Sequence, residues 1–287
     1  MPELPEVETV RLGLEPVLAG ARLARVEARR PDLRFPLPEG FVQRLTGARL
    51  ERLDRRAKYI LAPLDRGDVL VMHLGMSGRF EITGHTATRR AGDFLYAAPP
   101  DPKHAHVLFE TEAGAIVTYF DPRRFGYMGL IPIADIEGHP WFAGLGPEPL
   151  DPAFSAAHLR RAFAGKRQSV KATLADQRIV AGLGNIYVCE ALHRARVSPL
   201  RAAGDVDARA LGRLVAAVKT VLAEAIEAGG STLRDYAAAD GALGYFQHRF
   251  AVYGRQGEPC LRARCSGAIE RVVQAGRSTF YCPICQR

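Results

Sequence analysis

The chain has 287 residues, 47% of them hydrophobic and 24% charged, a composition that excludes disordered and collagen-like classes and leaves length for two domains. It holds no run of about 18 apolar residues to span a bilayer, and its acidic start lacks the basic and apolar regions of a secretory signal, so the expected location is the cytoplasm. The formal net charge of +8 makes a polyanion the first partner to consider.

The first element in chain order is a helix that Pro5 starts, with Val7, Val10, Leu14 and Val17 on one face and the Gly20 turn at its end. Pro2 has no part in that helix. Once Met1 is removed, Pro2 is a free secondary amine. Such an amine attacks carbon at the aldehyde oxidation level and yields a permanently charged iminium, an electron sink that needs no further proton. A terminal amine titrates near pH ~8, against about 10.4 for lysine, so a usable fraction is free base at neutral pH. Glu3 stands next to it as an acid.

Short segments of strand character follow at residues 21–26, 59–64, 69–74, 107–110 and 116–120, separated by Gly, Pro and Asp clusters; their number and spacing predict a sandwich or barrel. Lysine occurs only at positions 58, 103, 166, 171 and 219, against 34 arginines. Lys58, in Arg55-Arg56-Ala57-Lys58-Tyr59, therefore marks a place where an ammonium that can release a proton serves and a guanidinium cannot, unless it is a solvated lysine at a strand start.

Residues 136–152, with Gly144-Leu145-Gly146-Pro147-Glu148-Pro149, read as a linker, and helical patterns then cover 156–164, 170–175, 185–195 and 207–228. Gly182-Leu183-Gly184 precedes the third of these, with Asn185 as the expected N-cap. Backbone amides in such a turn can receive a phosphate, with Lys166, Arg167 and Lys171 upstream, although taken alone an ordinary capped helix accounts for it better. The glycine spacing excludes a Walker loop and a dinucleotide fingerprint. Cys189 falls at helical spacing and reads as a small buried residue.

The other four cysteines close the chain as Cys260-x4-Cys265 and Cys282-x2-Cys285, two pairs a hairpin apart, which is the thiolate set of one structural Zn2+. Two disulfides are disfavoured because cytosolic thiols stay reduced. Seven arginines and two glutamates lie from 249 to 287, so a zinc-organised hairpin presenting Arg271 and Arg277 suits a phosphate backbone, unless the module is a stabilising terminal knob with solvated arginines.

Several motifs then occur in one order along nearly the whole chain: Pro2-Glu3-Leu4-Pro5-Glu6-Val7-Glu8-Thr9, Arg56-Ala57-Lys58-Tyr59, His73-Leu74-Gly75-Met76-Ser77-Gly78, Asp121-Pro122-Arg123-Arg124-Phe125-Gly126, Gly182-Leu183-Gly184-Asn185-Ile186-Tyr187 and Gly276-Arg277-Ser278-Thr279-Phe280-Tyr281-Cys282. Together they resemble the bacterial formamidopyrimidine-DNA glycosylase family. The endonuclease VIII branch usually has glycine at the position of Leu4, so an endonuclease VIII-like enzyme for oxidised pyrimidines is the second reading. A non-catalytic DNA-binding protein is the third.

The resemblance implies an α+β multidomain chain: an N-terminal helix plus β-sandwich domain over 1–135, the linker 136–152, a helical helix-two-turn-helix domain over 153–248 and a zinc-finger β-hairpin over 249–287. It implies a monomeric, bifunctional DNA glycosylase and abasic-site lyase that removes oxidised purines (8-oxoguanine, formamidopyrimidines) from damaged double-stranded DNA. Pro2 is then the Schiff-base nucleophile, Glu3 the acid, Lys58 a proton donor, and Arg277 an aid to the second of two eliminations. Met76, Arg123 and Phe125 match the residues that fill the gap left by an everted base. Without the resemblance, Met76 and Phe125 read as core residues. The DNA contacts carry over to His104, Arg123, Lys166 and Asn185, with Lys171 beside them, and residues 233–246 match the loop that closes over the everted base. One departure is local: the family's first cysteine pair encloses two residues, and here Leu261-Arg262-Ala263-Arg264 makes four.

Overall fold

Helix α1 (Leu4–Leu18) opens with Pro5 in its first turn, where the missing amide proton breaks no internal hydrogen bond. Leu4, Val7, Val10, Leu14 and Leu18 are at most 1% exposed, so the buried stripe continues from Leu14 to Leu18 with Val17 at its margin. Each such side chain contributes roughly 1.5–3 kcal/mol by leaving water. The computed structural model describes residues 2–84, 101–231 and 244–287. It divides into two units, one of Met1–Ala143 and Ala228–Tyr245, the other of Gly144–Glu227 and Phe246–Arg287.

In the first unit the strands are β1 (Leu23–Ala28), β2 (Asp54–Arg56), β3 (Tyr59–Pro63), β4 (Asp68–His73), β5 (Arg79–Thr83), β6 (Ala105–Thr111), β7 (Ile116–Phe120) and β8 (Tyr127–Pro132), with a short helix α2 (Phe41–Leu45) after β1. They form two four-stranded sheets, in the orders β1-β6-β7-β5 and β2-β3-β4-β8, with every pairing antiparallel. One core takes Phe80, Val107, Phe109 and Val117 from the first sheet and Ile60, Leu70, Met72 and Leu130 from the second, together with the α1 stripe. This is the expected sandwich. Strands β2, β5 and β8 and helix α2 carry no strong pattern in the sequence: β2 is Asp54-Arg55-Arg56, with no apolar residue, and β8 is interrupted by Gly129. Gly129 is needed because a Cβ there would lie 2.8 Å from the Trp141 ring.

The second unit holds α3 (Ala156–Phe163), α4 (Val170–Leu174), α5 (Asn185–Ala195), α6 (Ala208–Glu227) and the hairpin β9 (Glu270–Gln274) and β10 (Arg277–Tyr281). Ser155 and Ser169 cap α3 and α4 by accepting the amides of His158 and Ala172. The fully buried Glu190 of α5 accepts the amides of Ala251, Val252 and Tyr253 at 2.9, 3.0 and 2.9 Å, tying the helix to the chain that leads into the hairpin. Cys189 is 1% exposed, as its spacing predicts. No helix among the described residues is long and apolar enough to cross a membrane.

Candidate active site and zinc centre

Pro2 and Glu3 are buried at the entrance to α1. The Glu3 amide donates to Glu6 Oε2 at 2.8 Å, and Glu6 Oε1 accepts both the amide and the hydroxyl of Ser231 at 2.9 Å. One buried carboxylate therefore holds the main chain directly after Pro2 against residue 231. Gly230, at φ +77°, allows the approach, since a Cβ there would stand 3.1 Å from Glu6 Oε1. Residues 233–243 of the expected closing loop lie outside the described residues.

Lys58 sits in the tight turn between β2 and β3, where Arg56 pairs with Tyr59. Ala57 takes φ 53°, a left-handed conformation that costs a non-glycine residue about 1 kcal/mol, and Lys58 is only 8% exposed. Arg55 Nε donates to Glu8 Oε2 at 2.9 Å and locks the hairpin to α1. His73 stacks on Tyr127, whose hydroxyl donates to that of Tyr59 at 2.9 Å. Burial, and after it the charges of Lys58 and Arg34, hold the His73 imidazole down to about 4, so it is neutral and accepts the Gly75 amide through Nδ1.

Asp121 organises the turn that carries Arg123 and Phe125. Its buried carboxylate accepts Ser77 Oγ at 2.5 Å and the Gly126 amide at 2.7 Å, and Ser77 Oγ in turn accepts the Arg123 amide at 3.2 Å. The Met76 turn and the 121–126 turn thus share one hydrogen-bonded base. Gly75 completes the fit, because a Cβ there would lie 2.3 Å from the Gly126 nitrogen. Phe125 is 42% exposed, with the Arg123 guanidinium 4.8 Å from its ring centroid. This corrects the core reading of Phe125; Met76 is half-buried. His104, also half-buried, joins the cluster through its carbonyl, which accepts the Asp121 amide at 3.1 Å. The roles of Asp121, Ser77 and Glu6 escape sequence reasoning because each acts through partners distant in the chain.

In the second unit the structure moves the N-cap of α5 from Asn185 to Gly184, leaving Asn185 as the first helical residue. Its Nδ2 donates to the Ser278 carbonyl at 2.9 Å, fastening the start of α5 to the hairpin beside Arg277. The Gly182 amide is already taken by Gln177 Oε1 at 2.8 Å, so the glycine turn is held by a side chain and that amide is spent. Arg277 is exposed and follows Ala275 and Gly276, both at positive φ, which is the signature of a two-residue hairpin turn. Lys166 is half-buried in the loop before α4. Lys171 is 2% exposed, at the second position of α4.

The four closing cysteines converge. Their sulfurs lie within 4.8 Å of one another, with Cys260 and Cys285 at 3.8 Å and Cys265 and Cys282 at 3.6 Å. A tetrahedron with Zn–S arms of about 2.3 Å has edges of about 3.8 Å, so the set fits one zinc ion. Burial, and then the neighbouring sulfurs, push the Cys285 thiol up to about 12, and zinc holds such sulfurs as thiolates. Gly267 is required here, since a Cβ would sit 2.7 Å from Cys282 Sγ. The two extra residues of the first pair are absorbed by a turn in which the Cys265 amide donates to the Arg262 carbonyl at 3.1 Å and Arg264 takes φ 63°.

A β-sandwich unit with a pinned N-terminal segment and an exposed Arg–Phe turn, and a helical unit stapled by a zinc hairpin, define a class: zinc-finger α+β proteins built to meet a polyanion. Comparison with known proteins makes this specific. The formamidopyrimidine-DNA glycosylase N-terminal domain matches residues 1–128, the H2TH domain of the same proteins 145–237, and the zinc finger found in FPG and IleRS 257–287. Formamidopyrimidine-DNA glycosylases of Phenylobacterium zucineum and Caulobacter vibrioides are 69% and 68% identical, each covered over 100% of both chains. Among solved structures, the MutM (FPG) protein of Thermus thermophilus is 41% identical with a TM-score of 0.83, covering 99% of this chain and 98% of that one. Lactococcus lactis Fpg in complex with DNA containing an abasic site is 32% identical with a TM-score of 0.85, covering 100% of both chains. The chain belongs to the formamidopyrimidine-DNA glycosylase family.

Proposed function

We propose that the protein is a DNA glycosylase and abasic-site lyase that removes oxidised purines from duplex DNA in the cytoplasm, with the Pro2 nitrogen as nucleophile. The pinned terminus carries this reading: Glu6 fixes the main chain between Pro2 and α1, so a terminal amine there has a defined position. The amine attacks C1′ of the damaged nucleotide while Glu3 protonates, allowing the base to depart and the sugar ring to open. The resulting iminium makes the C2′ proton acidic. Its loss expels the 3′ phosphate, and a second elimination expels the 5′ phosphate, with Lys58 as proton donor and Arg277 assisting the second step. Met76, Arg123 and Phe125 take the place of the everted base; a planar guanidinium stacked on an exposed ring is suited to that. His104, Lys166 and Asn185 serve the phosphate backbone.

The zinc ion, held by Cys260, Cys265, Cys282 and Cys285, supplies structure and no chemistry. The test is excision from duplexes carrying 8-oxoguanine or thymine glycol, side by side. Strand cleavage at 8-oxoguanine supports the proposal. Cleavage at thymine glycol alone transfers the protein to the endonuclease VIII-like reading, and binding with no cleavage leaves a DNA-binding protein.

A further inference from the structure

Beside the zinc cluster lies an open cavity of about 400 Å³ lined by Arg196, Arg262, Arg264 and Arg287 together with Cys265 and Cys285. Among the described residues no carboxylate side chain lines it. A zinc ion on four thiolates carries about −2; four guanidinium groups leave the cavity net positive.

One guanidinium is fixed by the main chain, and backbone hydrogen bonds hold the segments that carry two of the others. Arg262 Nη2 donates to the His193 carbonyl at 2.7 Å, capping the C-terminus of α5. The Arg287 amide donates to the Arg196 carbonyl at 3.4 Å, and the Ser198 amide to the Arg287 carbonyl at 3.1 Å. Arg196 and Arg264 are also the informative outliers, at φ 58° and φ 63°. Position 196 ends α5, where glycine is the unstrained choice. Two of the arginines around the cavity are thus held in the left-handed region, where a side chain costs backbone strain.

The cavity is remote from Asn185, one of the residues assigned to the phosphate backbone. Helix α5 has 11 residues, so Arg196 lies roughly 16 Å along its axis from Asn185. Asn185 in turn is fastened to Ser278, next to Arg277, at the turn end of the hairpin, whereas the cavity borders its cysteine end.

We propose that this cavity is a second phosphate-binding site, separate from the Asn185 and Arg277 end of the unit, with Arg196 and Arg264 as its principal donors. Arginine pairs suit the site because two N–H groups of each guanidinium reach two phosphate oxygens at once. The phosphate belongs either to a free phosphate compound or to the nucleic-acid backbone beyond the lesion.

The test uses the full-length zinc protein and the double variant Arg196→Gly/Arg264→Gly. Glycine relieves the left-handed strain, so the variant is expected to keep its zinc and to melt no earlier than the wild type. Calorimetric titration with inorganic phosphate and with a nucleoside triphosphate at constant ionic strength should show binding about tenfold weaker in the variant, the equivalent of 1.4 kcal/mol. If the phosphate is that of a duplex, the variant also loses affinity for long duplexes, and its salt slope falls by about 0.9 for each backbone phosphate no longer neutralised. If it is a free compound, the slope is unchanged while the phosphate titration weakens. Identical titrations and identical slopes in the two proteins overturn the proposal. So does a variant that loses zinc or melts earlier, because the arginines would then serve only to balance the thiolate charge.

Discussion

Replacing Asp121 by alanine should loosen the turn that carries Arg123 and Phe125 and measurably destabilise the N-terminal unit. The carboxylate is fully buried and accepts Ser77 Oγ at 2.5 Å and the Gly126 amide at 2.7 Å, with the Tyr119 hydroxyl at 3.4 Å. Hydrogen bonds to a charged group are worth roughly 1.5–3 kcal/mol each, and removing the acceptor leaves the buried Gly126 amide without a partner. Two short bonds therefore put the cost at about 3–6 kcal/mol, a large share of a stability of about 5–15 kcal/mol. Asp121→Asn retains one oxygen for Gly126 and should lose about 1–3 kcal/mol. Urea unfolding followed by tyrosine and tryptophan fluorescence reads the N-terminal transition, and titration with lesion duplexes reads the turn. Ser77→Ala, which removes one partner only, should fall between wild type and Asp121→Ala in both. An Asp121→Ala protein within about 1 kcal/mol of wild type, with unchanged DNA affinity, refutes the reasoning.

His73 supplies a pH prediction. Its folded value of about 4 lies below the unfolded value of about 6.5, so the unfolded chain gains a proton first as pH falls. Stability present above pH ~6.5 is lost progressively down to pH ~4, by about 3 kcal/mol in all. His73→Asn, which keeps an acceptor for the Gly75 amide but does not titrate, should flatten the stability curve in that window; parallel curves for the two proteins contradict the assignment. Cys282→Ser should remove zinc and weaken DNA binding, read by metal analysis and duplex titration, and a zinc-free wild type that binds normally sinks the structural role of the metal. Lys58→Arg keeps the charge but not the titratable ammonium, so strand cleavage should fall by an order of magnitude or more while duplex affinity holds. Equal cleavage rates would show that a fixed charge suffices.

Much of the architecture is legible in the sequence because it rests on local signals. Residues 185–195 and 116–120 coincide with α5 and β7, where apolar spacing is regular and glycine or proline marks the flanks. The zinc cluster is legible because cysteine pairs have few other uses, and two extra residues in a turn do not disturb the sulfurs. What is not legible depends on contacts between distant segments. Glu6 looks like one acid among several in the first turn until Ser231 is seen to donate two hydrogen bonds to it. Lys171 follows Lys166 in a basic stretch and gives no sign that it will be buried. The N-cap of α5 falls on Gly184, and the side-chain amide of Asn185 is engaged with the hairpin, 93 residues further along the chain.

The central claim is that the Pro2 nitrogen is the nucleophile, which requires that Met1 be absent. Intact mass should show the purified chain without Met1. Borohydride reduction during reaction with an 8-oxoguanine duplex, followed by peptide mapping, should then place the sugar adduct on the peptide that begins with Pro2. An adduct on Lys58 or another lysine, or cleavage by a protein that retains Met1, would contradict the account.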